Sequence, residues 1–107
     1  MHSAITMGIG YSLFEHRILS PETGAFVNAD MEGYQLARLG DIGEIIVEIY
    51  EPESVRKQGV IGNGEPPVIG VGAAMANAVA NALGVRVPVL PLTPKRVLDA
   101  LRQAGRA

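Results

Sequence analysis

The spacing of apolar residues along the chain predicts three helices. In residues 4–15 apolar side chains recur every three or four positions, which is the spacing of one helical face. Residues 68–83 are apolar on nearly all sides and rich in alanine, which predicts a helix buried on several faces. Thr93 and Pro94 are typical of an N-cap and a first helical turn, so a last helix is expected to begin there.

Two other stretches have patterns typical of extended backbone. In residues 44–50 apolar side chains alternate along the chain, which predicts a strand. Residues 17–19 and 25–28 flank a turn that carries proline early and glycine late, which predicts a hairpin. The fold class expected from these elements is α+β. A small, mostly antiparallel sheet would pack with about three helices, and the alanine-rich one would be buried.

Length and composition limit what such a domain can be. The 107 residues suit a single domain, 1–107, with one modest core. Apolar residues make up 48% of the chain, most of them small or aliphatic. We therefore expect either that a partner covers part of the surface or that the chain forms a compact, alanine-rich domain alone.

Charge and cysteine content exclude several classes of function. The net charge of -2 provides no basic surface for nucleic acid. The absence of cysteine excludes disulfides and thiolate metal sites within this sequence. Residues 68–83 are too few to span a bilayer, and the N-terminus has no signal-peptide pattern. We expect a cytoplasmic protein without a membrane span.

The candidate chemistry lies at Glu65. This residue follows a glycine-bearing loop that includes Gly62 and Gly64, and it directly precedes Pro66 and Pro67. Proline is favoured in the first turn of a helix, so the Glu65 carboxylate should lie at or near the start of the helix in residues 68–83. Glycines without side chains allow a bulky ligand to approach the backbone. Glu65 is therefore a candidate catalytic base, and the simpler alternative is that it only caps the helix.

The same motif and its neighbours resemble a known family. The chain is similar to the C-terminal segment of the molybdenum-binding large subunit of the xanthine dehydrogenase and aldehyde oxidase family. The signature Gly-x-Gly-Glu-Pro-Pro is present at residues 62–67, although Ile61 stands where the family often has lysine and Asn63 replaces a small apolar residue. The resemblance is also carried, in the family's order, by residues 7–15, 19–24, 34–45, 74–79 and 92–97.

This resemblance implies a role for the motif. In the family, the signature glutamate is the general base beside a molybdopterin-bound molybdenum that hydroxylates aldehydes or N-heterocycles. Carried over, the base is Glu65, and Gly62 and Gly64 lie near the cofactor. Iron–sulfur and flavin subunits or domains take the electrons. A complete large subunit is several times longer, so the resemblance implies a fragment that is inactive and binds no cofactor alone.

Two alternatives remain open from the sequence. A non-catalytic remnant could persist as a small assembly module that hides its apolar surface by self-association as a homo-oligomer. A small-ligand binding module that uses the glycine loop is a further alternative.

Overall fold

A computed structural model of the chain describes residues 1–59 and 64–106. The helices in these two ranges are α1 (His2–Leu13), α2 (Glu53–Arg56), α3 (Pro67–Leu83) and α4 (Pro94–Gln103), with a 3₁₀ turn at Leu39–Asp41. The three helices expected from the apolar pattern are thus confirmed as α1, α3 and α4. No helix in the described part of the chain is long and apolar enough to cross a bilayer.

The ends of α3 and α4 follow the local sequence signals. Gly84 ends α3 in a left-handed conformation with φ 66°, which a residue with a Cβ adopts at a cost. The Thr93 hydroxyl accepts the backbone N–H of Arg96 at 3.4 Å, as expected for the N-cap of α4. Arg106 donates to the Leu83 carbonyl at 2.8 Å, and this bond returns the end of the chain to the end of α3.

Helices α1 and α3 pack closely against each other, and their contact is the main one between elements. A Cβ atom added at Gly8 would collide with the Val71 side chain, so the glycine is what lets the two helices approach. Ala4, on the same helix, is fully buried. Because small residues line the contact, the backbones come together but little apolar area is enclosed.

The hairpin predicted around residues 20–24 forms only in a reduced version. A single antiparallel bridge joins Leu19 and Phe26. The buried Asn28 supports it, since its Oδ1 accepts the Ile18 N–H at 2.9 Å and its Nδ2 donates to the His16 carbonyl at 2.7 Å. Two backbone hydrogen bonds of 2.9 Å also cross the hairpin, donated by the N–H groups of Ser20 and Val27. The side-chain bonds of Asn28 extend this short ladder.

The predicted α+β fold with a small antiparallel sheet is wrong. Residues 44–50 form no strand, and the only pairing in the described ranges is the isolated Leu19–Phe26 bridge. The alternation of apolar side chains expresses a preference for extended backbone, but a strand also needs a neighbour whose N–H and C=O groups it can pair with. No part of the described chain lies alongside residues 44–50 in this way.

The expected burial of the alanine-rich helix is also wrong. Gly72 is the only buried residue of α3, and apart from glycine and proline, Ala4, Leu92 and Ala100 are the only buried apolar residues in the described ranges. The radius of gyration is 17.7 Å, compared with about 13 Å for a compact domain of this length. The described part of the chain therefore covers the apolar surface of α3 only partly.

Candidate functional site

Glu65 lies where the glycine loop meets α3. Pro66 is the N-cap of the helix and Pro67 its first residue, so the two prolines set the direction in which the helix begins. The Glu65 carbonyl accepts the backbone N–H of Val68 at 3.0 Å, which fixes its main chain to the first turn. The placement expected for this carboxylate, at the start of the helix, is confirmed.

The Glu65 side chain is exposed, and it forms no hydrogen bond with the described residues. The alternative that this glutamate serves as the helix cap therefore has no support, because the N-cap is Pro66 and no side chain caps it. At Gly64 an added Cβ would meet no atom within 4 Å, so the backbone beside the carboxylate is open. Gly62, the other predicted cofactor-binding residue, lies outside the described residues.

Tyr11 of α1 contacts the first turns of α3. Its hydroxyl donates to the Val68 carbonyl at 2.9 Å and accepts the Gly72 N–H at 3.1 Å. These two groups are four residues apart and belong to one rung of the helical hydrogen-bond ladder. The hydroxyl therefore ties α1 to the part of α3 that follows Glu65.

The sequence pattern does not identify Tyr11 as a supporting residue, because it places this tyrosine only within the apolar spacing of residues 4–15. A signal was available, since a tyrosine in a glycine-bearing, apolar helix needs a hydrogen-bond partner when it is partly buried. Gly72, the sixth residue of α3, donates to that hydroxyl and has no sequence signal for this role beyond its small size. An added Cβ there would lie 3.0 Å from the tyrosine ring.

A second polar pair lies at the other end of α1. The Tyr34 hydroxyl donates to Glu15 at 2.7 Å, and this hydrogen bond raises the pKa of Tyr34 above its usual value. The pair ties the residues after α1 to the turn at residues 30–34. We assign this pair a structural role, because each side chain is the hydrogen-bond partner of the other.

An open pocket of about 280 Å³ lies beside the start of α3. Its walls come from the first turns of α1, from the first residue of α3 and from the irregular segment that was predicted to be a strand. Its lining residues are Met1, Ile5, Ile46, Val47, Glu48 and Pro67.

The described side chains do not assemble a metal-binding set. No group of three or more His, Asp or Glu residues converges anywhere in residues 1–59 and 64–106. His2, one of two histidines, contacts the Ile45 carbonyl through Nε2 at 3.1 Å. The site can therefore present a single carboxylate beside open backbone, and other polypeptide would have to hold a metal cofactor next to it.

Comparisons with known proteins place this arrangement in context. The chain is 40% identical over 108 residues to the xanthine dehydrogenase molybdenum-binding subunit of Escherichia coli O157:H7, covering 98% of this chain and 14% of the relative. It is 41% identical over 103 residues to the aldehyde oxidoreductase molybdenum-binding subunit PaoC of Escherichia coli K12, covering 92% of this chain and 14% of the relative. No protein-family model matches the sequence.

A solved structure has the same fold. The crystal structure of quinoline 2-oxidoreductase from Pseudomonas putida 86 superimposes with a TM-score of 0.74 at 24% identity, covering 95% of this chain and 14% of that one. The chain thus spans about one seventh of the length of the proteins it matches. The resemblance drawn from the motif at residues 62–67 is confirmed: this chain belongs, as one segment, to the molybdenum-binding subunits of the xanthine dehydrogenase and aldehyde oxidase family.

Proposed function

We propose that this chain supplies the general base, Glu65, to a molybdopterin-dependent hydroxylase of the xanthine dehydrogenase and aldehyde oxidase type. The observation that carries the proposal is the position of the carboxylate in a chain homologous to molybdenum-binding subunits. Glu65 stands at a fixed helix start, is exposed, and has no hydrogen-bond partner among the described residues. A carboxylate without a structural partner is free to accept a proton from a substrate or cofactor.

Each neighbour of the base has a part in this arrangement. Pro66 and Pro67 hold the main chain at Glu65, and the Tyr11 hydroxyl holds the turn that follows. Gly64 leaves the backbone open so that a large cofactor can approach, and Gly62 lies outside the described residues. When bound, the molybdenum cofactor supplies the oxidation of the substrate carbon. Glu65 takes up the proton that must leave as an aldehyde or an N-heterocycle is hydroxylated.

The residues of this chain can provide a base beside the cofactor, but they do not suit the binding of the cofactor itself. The described side chains contain no metal-ligand cluster, and an exposed carboxylate lies in water until another surface covers it. Covering it would exclude competing solvent from the reacting atoms. We propose that the remaining part of a molybdenum subunit supplies that surface and that iron–sulfur and flavin partners take the electrons, so the chain alone is inactive and binds no molybdenum.

The test is reconstitution with a relative. This chain is co-expressed with the Escherichia coli O157:H7 xanthine dehydrogenase molybdenum-binding subunit lacking its matching 108-residue segment, together with that enzyme's partner subunits. Recovered hydroxylase activity should fall roughly 10²–10⁴-fold in kcat when Glu65→Gln is introduced, which is the usual contribution of a general base. Molybdenum content, measured by mass spectrometry, should stay unchanged.

A matched control is available in the hairpin turn. Glu22 is also an exposed acid, but it lies in a different part of the chain, so Glu22→Gln should retain full activity. Unchanged turnover in the Glu65→Gln assembly would contradict the proposed role. A chain that assembles only with itself and ignores the rest of the subunit would favour the non-catalytic module instead.

A further inference from the structure

We infer that residues 42–51 are an open strand edge, at which an extended segment from the remaining part of the molybdenum subunit pairs by backbone hydrogen bonds. The inference rests on the proposed function in one respect, namely that this chain works together with the rest of such a subunit. It adds the place and the manner of the contact. The partner is therefore a β-strand with an apolar side chain, and not a ligand or a second copy of this chain.

The backbone of this segment carries the argument. No N–H group of residues 42–51 donates a hydrogen bond to any described residue. Ile42, at the start of the segment, has extended angles (φ -114°, ψ 123°). Extended backbone with free N–H and C=O groups is a template for another strand.

The side chains of the segment lead to the same conclusion. Exposure alternates through Ile45, Ile46, Val47 and Glu48, as it does along a strand with one covered face. Ile46 is 76% exposed and Tyr50 is 88% exposed, although both belong to residue types favoured in paired strands. Large apolar side chains on an unpaired edge are a liability in a finished fold, which indicates that another polypeptide covers them.

The pocket beside α3 explains how an added strand would gain specificity. Ile46 and Val47 form one wall of it, and Met1, Ile5 and Pro67 form much of the rest. A strand laid along residues 42–51 would carry side chains past its mouth, and an apolar one would fill it. Strand addition commonly combines main-chain bonds with such side-chain pockets.

The exposed area is large enough for an extensive interface. The accessible surface is 8106 Å², whereas a compact protein of this mass exposes about 5,700 Å². Obligate interfaces bury about 2,000–5,000 Å² counted over both partners, and the surplus of about 2,400 Å² on this one chain is about half of the upper value. The relatives indicate where the partner strand comes from. About 86% of their length lies outside the segment that this chain matches, so the rest of such a subunit is long enough to provide it.

The contact with His2 identifies the edge that is open. The Ile45 carbonyl faces His2 of α1 at 3.1 Å. In a strand, the N–H and C=O of one residue point to the same edge, and the edge alternates with each residue. Ile46 and Glu48 therefore direct their backbone groups away from α1, toward the incoming strand.

Hydrogen exchange measured by mass spectrometry tests the inference. The chain is compared alone and in complex with the Escherichia coli O157:H7 subunit lacking its matching segment. In the complex, amides of residues 42–51 should exchange at least about 100-fold more slowly than in the free chain. Ile46→Pro should weaken binding about tenfold more than Ile46→Ala, since both lose the side chain but only proline also removes the N–H.

Several results would overturn it. Unchanged exchange of residues 42–51 within an intact complex, or equal effects of the two Ile46 variants, would overturn the open edge alone. Failure of the two polypeptides to associate would overturn this inference and the proposed function together. Protection that rises with the concentration of this chain alone would assign the edge to a second copy. None of these readouts involves turnover, so a failed edge leaves the role of Glu65 to be decided by the Glu65→Gln assay.

Discussion

The α1–α3 pair and the segment at residues 42–51 differ in what completes them. The contact between the two helices is made within the chain, because Gly8 leaves room for Val71 and the Tyr11 hydroxyl bonds groups on the opposite helix. The segment has side chains suited to a strand, but its backbone N–H groups find no partner among the described residues. Both regions have a local preference for their conformation, and among the described residues only the helix pair also has its tertiary partner.

The main chain and the side chain of Glu65 differ in a similar way. The Glu65 carbonyl accepts the Val68 N–H, and the Val68 carbonyl in turn accepts the Tyr11 hydroxyl. The Glu65 side chain is exposed and forms no hydrogen bond with the described residues. The described part of the chain therefore fixes the main chain at Glu65, and under the proposed function other polypeptide would surround the carboxylate.

The largest change in the stability of the α1–α3 pair is expected at Gly8. Gly8→Ala places a Cβ against Val71, whose Cγ atoms lie 2.7 Å from that position. We expect a loss of about 1–3 kcal/mol in the free energy of unfolding, which is typical of overpacking. Urea unfolding followed by far-UV circular dichroism measures it.

The matched control for Gly8→Ala is Gly70→Ala on α3. An added Cβ there meets nothing within 4 Å, so it should stabilise the helix by up to about 1 kcal/mol. If both variants shift stability in the same direction, α1 and α3 do not pack as closely as described.

A smaller effect is expected at Tyr11. Tyr11→Phe keeps the ring but leaves the Val68 carbonyl and the Gly72 N–H without the hydroxyl, which should lower the free energy of unfolding by about 1 kcal/mol. Tyr50→Phe serves as the control, since that ring is 88% exposed and its loss of a hydroxyl should change nothing. Equal unfolding midpoints for the two variants would show that the Tyr11 hydroxyl bonds are not made in solution.

The smallest effect concerns the pH dependence of α4. Lys95 donates to Asp99 at 2.6 Å, and this hydrogen bond lowers the pKa of Asp99 below its ordinary 3.8. Because the folded pKa is depressed, the stabilisation is present above about pH 4 and is lost as the pH falls through the folded value. The pair is exposed and salt should weaken it. Helicity measured from pH 6 to pH 2 should show a slight loss that Asp99→Asn abolishes.

The helices could be predicted from the sequence because their signals are local. Apolar spacing, the Thr93–Pro94 start and the Gly84 end all act within a few residues, and each is confirmed. The sheet could not be predicted correctly, since pairing is a contact between distant segments. Residues 44–50 have the composition of a strand, but whether they pair depends on a neighbour that these 107 residues do not provide in their described part.

The candidate site shows the same division. The position of Glu65 at the start of α3 followed from two prolines and an apolar run, and the structure agrees. The contribution of Tyr11 could not be found by spacing, because it depends on a contact across 57 residues. The roles of Glu65, Gly62 and Gly64 at a cofactor remain predictions that the reconstitution experiment tests.

The surplus of accessible surface has a consequence for handling residues 1–107 as a separate sample. Uncovered isoleucine and tyrosine side chains lie along residues 42–51, and such edges recruit one another when nothing covers them. Solutions of this segment should therefore aggregate more readily as its concentration rises, and a polypeptide that covers the edge should suppress the aggregation.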